Sequence, residues 1–170
     1  MKNLSQEFID QCIFRLHENT SKVVRCLAEL NEEEVWRRPN ENSNSIANMI
    51  LHLCGNIRQY AISSLGHLPD NREREKEFSI TGGFTKDELK TKLASTVDEA
   101  IKIISTSDEI NLLQIRSVQG FTLSGIGIII HVTEHYSYHS GQIILMTKFF
   151  KNKDLGFYAG MDLNLKNISK

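Results

Sequence analysis

Three of the six histidines in the chain, His131, His135 and His139, follow one another at four-residue intervals. In an α-helix, a step of four residues rotates a side chain by only about 40° around the axis, so these imidazoles would share one face. Two histidines one turn apart bind a transition-metal ion from the same side, with metal–nitrogen distances of about 2.0–2.1 Å. A pair is half a site, so a further ligand must come from another element.

His52 is the candidate for that further ligand. The pattern of apolar residues predicts a helix over residues 45–65, and His52 borders its apolar stripe about two turns from the start. Metal sites in helical bundles form from side chains on facing helices, whose axes lie about 8–10 Å apart. We therefore predict a metal site made by His52, His135 and His139. His67, which follows a glycine, is expected in a loop outside it.

Four polar residues near these histidines are candidates for other roles. His131 lies one turn too early to share the ion easily and could orient a substrate, or could be a buried histidine bonded to a helix. Glu134 is a second candidate for a catalytic role. Asn56, one turn after His52, and Gln142, which follows the last histidine, are candidates for cofactor binding or for supporting a ligand from behind.

Three neutral nitrogen ligands leave a coordination position open, as in catalytic zinc sites. An ion bound there lowers the pKa of a bound water or thiol and polarises a carbonyl group. Histidine ligands suit zinc, nickel, copper and iron alike, so the sequence does not identify the metal. We favour zinc or nickel, with iron or manganese as alternatives.

Composition limits the class of protein. A chain of 170 residues with 40% hydrophobic residues is typical of one globular domain, expected to span residues 1–170. A net charge of −1 gives no electrostatic signature for nucleic acid or anionic membranes. The three cysteines form no CxxC pair and are expected to be reduced. Without an apolar signal segment or a span-length apolar run, we expect a cytoplasmic protein with no membrane partner.

Apolar residues recur at three- and four-residue steps in four segments, which predicts four long helices, at about residues 4–30, 45–65, 85–105 and 124–150. Thr85 and Ser124 are expected to cap the last two. The fold class is therefore all-α, a four-helix bundle, with a short irregular segment over 111–123 before the last helix. The alternating charges of 71–77 suggest a solvated loop or a frayed turn without a binding role. The tail after residue 150 is expected to pack across the bundle.

The pattern His-x-x-Glu-His-Tyr-x-x-His-x-Gly-Gln at 131–142, together with Asn-Ser-Ile-x-x-x-Ile-x-His ending at His52, resembles the DinB/YfiT-like superfamily. The resemblance implies a four-helix bundle, commonly a homodimer, with a divalent metal on three histidines, which correspond here to His52, His135 and His139. Some relatives are enzymes that use a low-molecular-weight thiol (bacillithiol, mycothiol or glutathione), acting as transferases or as a maleylpyruvate isomerase.

Three functional hypotheses follow. The first is a metal-dependent enzyme that transfers a thiol to, or isomerises, a small-molecule substrate. The second is a non-enzymatic bundle that binds metal or serves as a dimeric partner. The third is a metallohydrolase, because residues 131–135 match the HxxEH pattern, in which Glu134 would be the general base. The third is the weakest, since it gives no role to His139.

Overall fold

The computed structural model describes residues 3–167, and most of them are helical. The helices are α1 (Leu4–Glu29), α2 (Glu32–Trp36), α3 (Ile46–Ile57, continued by a π-helical segment, Arg58–Leu65), α4 (Arg74–Ser79), α5 (Lys86–Ser105), α6 (Glu109–Leu113) and α7 (Gly125–Lys151). Two short strands, β1 (Ile115–Val118) and β2 (Phe121–Ser124), precede α7. The long helices α1, α3, α5 and α7 pack against one another, which confirms the predicted four-helix bundle.

Local sequence determines where the long helices begin. At each start a polar side chain accepts a hydrogen bond from a backbone N–H three residues further on, and these caps are Asn3, Ser45, Thr85 and Ser124. Each helix then turns an apolar stripe inward, represented by the fully buried Leu16, Ile50, Leu93 and Ile128. In the tail Leu155 is buried and Phe157 packs against the core, as predicted, whereas residues 158–167 are exposed and the last three lie outside the described residues. Within residues 3–167, none of the helices combines the length and apolarity needed to cross a membrane.

The second long helix changes its hydrogen-bond register halfway along. In the π-helical segment a backbone N–H bonds to the carbonyl five residues back, as Gly66 N does to Ala61 O at 3.1 Å. Such segments are rare and frequently occur at functional sites. A Cβ atom at Gly66 would lie 2.5 Å from Ile62 O, so the turn that ends the segment requires a glycine. Tyr60, which lies in this segment, is buried, and its ring stacks on His131 of α7.

The segment before α7 is more regular than its sequence indicates. Strands β1 and β2 form an antiparallel hairpin, in which Val118 pairs with Phe121. Gln119 and Gly120 connect them with positive φ values of 51° and 81°, the conformation that a two-residue hairpin turn of this hand requires. The segment over residues 111–123, expected to be irregular, thus consists of the end of α6 followed by this hairpin.

The charged segment 71–77 is not a solvated loop, and that prediction was wrong. Part of it forms α4, whose Glu77 is only 9% exposed. Asn48 of α3, which is fully buried, donates hydrogen bonds from Nδ2 to Glu77 O at 3.0 Å and to Ile80 O at 2.8 Å. Arg74, Glu75 and their neighbours face solvent, whereas Glu77 points inward. The pattern of alternating charges does not distinguish the buried glutamate from the exposed residues.

Replacing Asn48 by alanine tests whether its hydrogen bonds to Glu77 O and Ile80 O hold this segment against α3. Two buried carbonyl oxygens would lose their donor, and each unsatisfied buried group costs about 1–3 kcal/mol. We expect Asn48→Ala to lower the free energy of unfolding in urea by about 2–3 kcal/mol. The matched control is Asn42→Ala, an exposed site, with an expected change within about 0.5 kcal/mol. Equal stabilities for the two variants would contradict the anchoring role of Asn48.

Candidate metal centre

The structure brings together the three histidines predicted to bind metal. His52 of α3 is 5% exposed, and His135 and His139 of α7 are half-buried. One ring nitrogen from each lies within 4.8 Å of the others, and the Nε2 atoms of His52 and His135 are 3.0 Å apart. Nitrogens that bind one tetrahedral ion lie about 3.4 Å apart, given bonds of about 2.05 Å. The observed spacing therefore suits a single ion.

Hydrogen bonds hold two of the rings in the tautomer that a metal needs. His52 Nδ1 lies 2.9 Å from Glu77 Oε2, and His139 Nδ1 lies 2.7 Å from Gln142 Oε1. Each ring donates its Nδ1–H to an oxygen, because carboxylate and amide oxygens only accept. The lone pair of each Nε2 atom is then free. Gln142, a candidate for this supporting role from its position after the last histidine, lies behind His139.

Burial and mutual repulsion keep the histidines of α7 neutral. Burial, together with the neighbouring His139 and His52, lowers the pKa of His135 to about 3. Burial also lowers the pKa of His139, although its hydrogen bond with Gln142 opposes that shift. Metal ligands must be deprotonated, so rings that resist protonation are suited to hold a cation.

Behind His52 lies an ion pair between Arg72 and Glu77. Arg72 donates from Nε to Glu77 Oε1 at 2.7 Å and from Nη2 to Oε2 at 2.9 Å, and both side chains are under 10% exposed. Burial raises the pKa of Glu77, but the hydrogen bonds from Arg72 and His52 outweigh it, so the pKa is lowered and the carboxylate stays charged. Arg72 Nη2 also lies 3.2 Å from His52 Nδ1, but it donates its hydrogen bond to Glu77 Oε2.

His131 lies outside the group of three ligand nitrogens, beside it on α7. Its Nε2 accepts a hydrogen bond from Asn56 Nδ2 at 3.1 Å, and its ring stacks on Tyr60 at 4.0 Å and on His135 at 5.3 Å between centroids. Burial lowers the pKa of His131, so the ring is neutral at pH 7. Tyr60 in turn donates from its hydroxyl to Gln119 Oε1 at the hairpin tip, at 2.9 Å.

Glu134 is not brought to the histidine cluster. It is exposed and lines a groove with residues of α1, among them Cys12 and Arg15. The geometry that the HxxEH pattern requires, a carboxylate poised beside the ion, is therefore not formed. All three cysteines are buried, and burial raises the pKa of Cys54 to about 11, against a hydrogen bond with Thr96.

Sequence reasoning did not identify Arg72, Glu77 and Tyr60 as site residues. Arg72 and Glu77 lie in a run of alternating charges, where nothing local marks the residues that face inward. For Tyr60 the sequence predicts only a place in the apolar stripe of the helix over residues 45–65. The one usable signal is that Phe78 and Ile80 interrupt the charges, which is typical of a segment with a buried side.

Comparisons with known proteins assign the chain to a family and a fold. The chain belongs to the family described as "Protein of unknown function (DUF1572)", which matches residues 3–159. None of the curated proteins matches the sequence. A solved structure similar to this one is that of a DinB-like protein, YjoA, from Bacillus subtilis, with a TM-score of 0.67 and 15% identity over 87% of this chain and 96% of that one.

A second similar structure is that of a mutant of the mycothiol-dependent maleylpyruvate isomerase. Its TM-score is 0.59 and its identity 14%, over 82% of this chain and 67% of that one. Identities this low show the fold alone. Together with the helical architecture they confirm the predicted fold, a helical bundle similar to that of the DinB-like protein.

The neutral state of His135 predicts how stability depends on pH. In the unfolded chain a histidine titrates near pH 6.5, whereas in the folded chain His135 does so at about 3. Between these values the unfolded state binds a proton that the folded state does not, so stability falls as pH falls. We expect the free energy of unfolding of the metal-free protein to decrease from about pH 7 to pH 4, and His135→Gln to make that slope shallower.

The slope is measured by urea unfolding at a series of pH values in the presence of a chelator. Ser137→Ala is the matched control, because it changes an exposed hydroxyl on the same helix and removes no titrating group. It is expected to keep the wild-type slope. A His135→Gln variant with the wild-type slope would show that His135 takes up its proton equally in both states.

Proposed function

We propose that this protein is a metal-dependent enzyme that acts on a small molecule with the help of a low-molecular-weight thiol. The observation that carries the proposal is the arrangement of His52, His135 and His139. Their ring nitrogens converge on one point, and within residues 3–167 no other side chain joins them as a fourth ligand. A closed structural zinc site uses four protein ligands, whereas a catalytic site keeps a position open.

In this proposal the three histidines hold one divalent ion, for which zinc and nickel suit the nitrogen ligands well. The bound ion would supply Lewis acidity, which lowers the pKa of a thiol or water and polarises a carbonyl oxygen. His139 is half-buried, and its ring packs edge-on against Tyr138, a side chain that is 63% exposed. A small substrate would enter on this side.

The thiol must come from outside the chain. All three cysteines are buried, and burial raises the pKa of each, so none is a thiolate at neutral pH. The thiolate rather than the thiol is the nucleophile. The likeness in fold to a mycothiol-dependent isomerase supports the same choice of co-substrate, although at 14% identity it does not extend to the reaction.

In this proposal His131 orients the substrate. Because Asn56 donates to its Nε2, the proton of the neutral ring is on Nδ1. Among the described residues no hydrogen-bond acceptor is paired with that Nδ1–H, so it is available to an oxygen of the substrate. Asn56 is 3% exposed and its Oδ1 has no partner within the part of the chain that the structure describes. The two residues together would recognise a ligand that both donates and accepts hydrogen bonds.

The first test is metal content. We expect the untagged wild-type protein to purify with stoichiometric metal by elemental analysis, and His52→Ala to lose it, because two ligands from one helix hold an ion weakly. The control is His17→Ala, an exposed histidine of α1, which should retain the metal. Wild-type protein without bound metal after incubation with zinc or nickel would contradict the proposal.

The second test concerns the thiol. We expect the absorption spectrum of the cobalt(II)-loaded protein to change when a low-molecular-weight thiol is added at millimolar concentration, and to remain unchanged with the matching S-methyl compound. Bacillithiol, mycothiol, glutathione and cysteine form the panel. A spectrum that responds to none of them would rule out thiol dependence while leaving the metal site intact.

The third test concerns His131. We expect His131→Ala to retain stoichiometric metal, because its ring lies outside the three converging nitrogens. The variant should keep the metal content of the wild type while weakening the binding of an active thiol, seen as a higher half-saturation concentration in the same spectrum. Loss of metal together with loss of thiol response would instead make His131 a ligand.

A further inference from the structure

We propose that Arg72 and Glu77, here called the bracket, are positioning residues that fix the orientation of His52 toward the metal, and that Gly55 is the residue that admits them. This inference rests on the proposed metal site. It concerns residues that contact neither substrate nor ion and act through His52.

The first observation is the space at Gly55. This residue follows His52 by three positions on the same side of α3. A Cβ atom at Gly55 would lie 1.9 Å from Glu77 Oε1 and 3.0 Å from Arg72 Nε. Any side chain there would push the carboxylate out of its position. Glycine is disfavoured inside a helix relative to alanine, so its use at this place reflects the close approach of the bracket.

The second observation is that the bracket is held from several directions. Arg72 Nη1 donates to Gln59 Oε1 at 2.9 Å, in addition to both oxygens of Glu77. Asn48 fixes the backbone of Glu77 through its carbonyl oxygen. These contacts hold the carboxylate in one position, in which Oε2 accepts a hydrogen bond from His52 Nδ1–H.

The third observation is energetic. A buried ion pair contributes little net stability, because removing two charges from water offsets their attraction, and apolar residues of similar volume often replace such pairs without loss. Stability of the bundle therefore does not account for the bracket. Its specific effect is on His52, since a carboxylate that accepts the distal N–H of a ligating histidine fixes the tautomer and the ring and strengthens the ligand.

Arg72 has a separate part in this arrangement. By donating to both oxygens of Glu77 it fixes the plane of the carboxylate beside the imidazole, which shares Oε2. The carboxylate is thereby kept on the Nδ1 side of the ring and does not turn to become a ligand itself. The site then stays a three-nitrogen site with an open position.

The experiment measures affinity for Zn²⁺ by competition with a chromophoric chelator, and thermal unfolding with and without the metal. Gly55→Ala and the double variant Arg72→Met with Glu77→Leu are compared with the wild type. We expect both to raise the Kd for Zn²⁺ by about 10–100-fold, the usual effect of losing such a partner. The double variant should unfold, without metal, at a temperature near that of the wild type, because apolar side chains fill the same volume.

Gly141→Ala is the matched control, since it also places alanine inside a long helix, at a position where a Cβ meets nothing within 4 Å. It should leave the Kd unchanged. Wild-type protein that binds Zn²⁺, with a double variant whose Kd stays within threefold of it, would overturn this inference and leave the proposed metal site standing. If the wild type itself binds no metal, the proposed function fails, and this inference fails with it. Should Gly55→Ala not fold, the double variant decides.

Discussion

The contact between α3 and α7 is the feature on which the rest of the site depends. It brings the ring of His52, nearly buried, to within 3.0 Å of His135, and it does so between two helices that are far apart in the sequence. Imidazoles gain little from facing one another without a cation, and the neighbouring rings contribute, after burial, to the lowered pKa of His135. The core of the bundle, formed by the stripes of four helices, supplies the free energy that holds them there.

The three converging histidines around that contact have different neighbouring groups. The Nδ1 atom of His52 is hydrogen-bonded to an ionised carboxylate, and that of His139 to an amide oxygen. The ring of His135 instead contacts the rings of His52, His139 and His131. His52 and His139 are thus each oriented by a hydrogen bond through Nδ1, whereas His135 is surrounded by the other imidazole rings.

The sequence was sufficient for the parts of the structure that local patterns control. The four long helices follow from apolar periodicity, their starts at Thr85 and Ser124 from capping chemistry, and the histidine cluster from four-residue spacing plus a single histidine on a neighbouring helix. The missed parts are non-local. The ion pair of Arg72 with Glu77 lies within a run where every charge looks alike, and only the packing of α4 on α3 distinguishes the inward ones.

The π-helical segment and the hairpin escaped prediction for a related reason. The register change after Ile57 depends on tertiary packing, and the turn places Gln119, rather than the asparagine or glycine usual there, at positive φ. The local conformational preferences of the residues predict neither the π-helical register nor the positive φ of Gln119.

The hydroxyl of Tyr60 gives the hairpin a connection to the centre of the molecule. It bonds to Gln119 at the tip, while the ring of the same tyrosine lies flat on His131. Tyr60 therefore joins a surface turn to the imidazole next to the three converging nitrogens. In the proposed function, the position of the hairpin would influence how His131 is oriented toward a substrate.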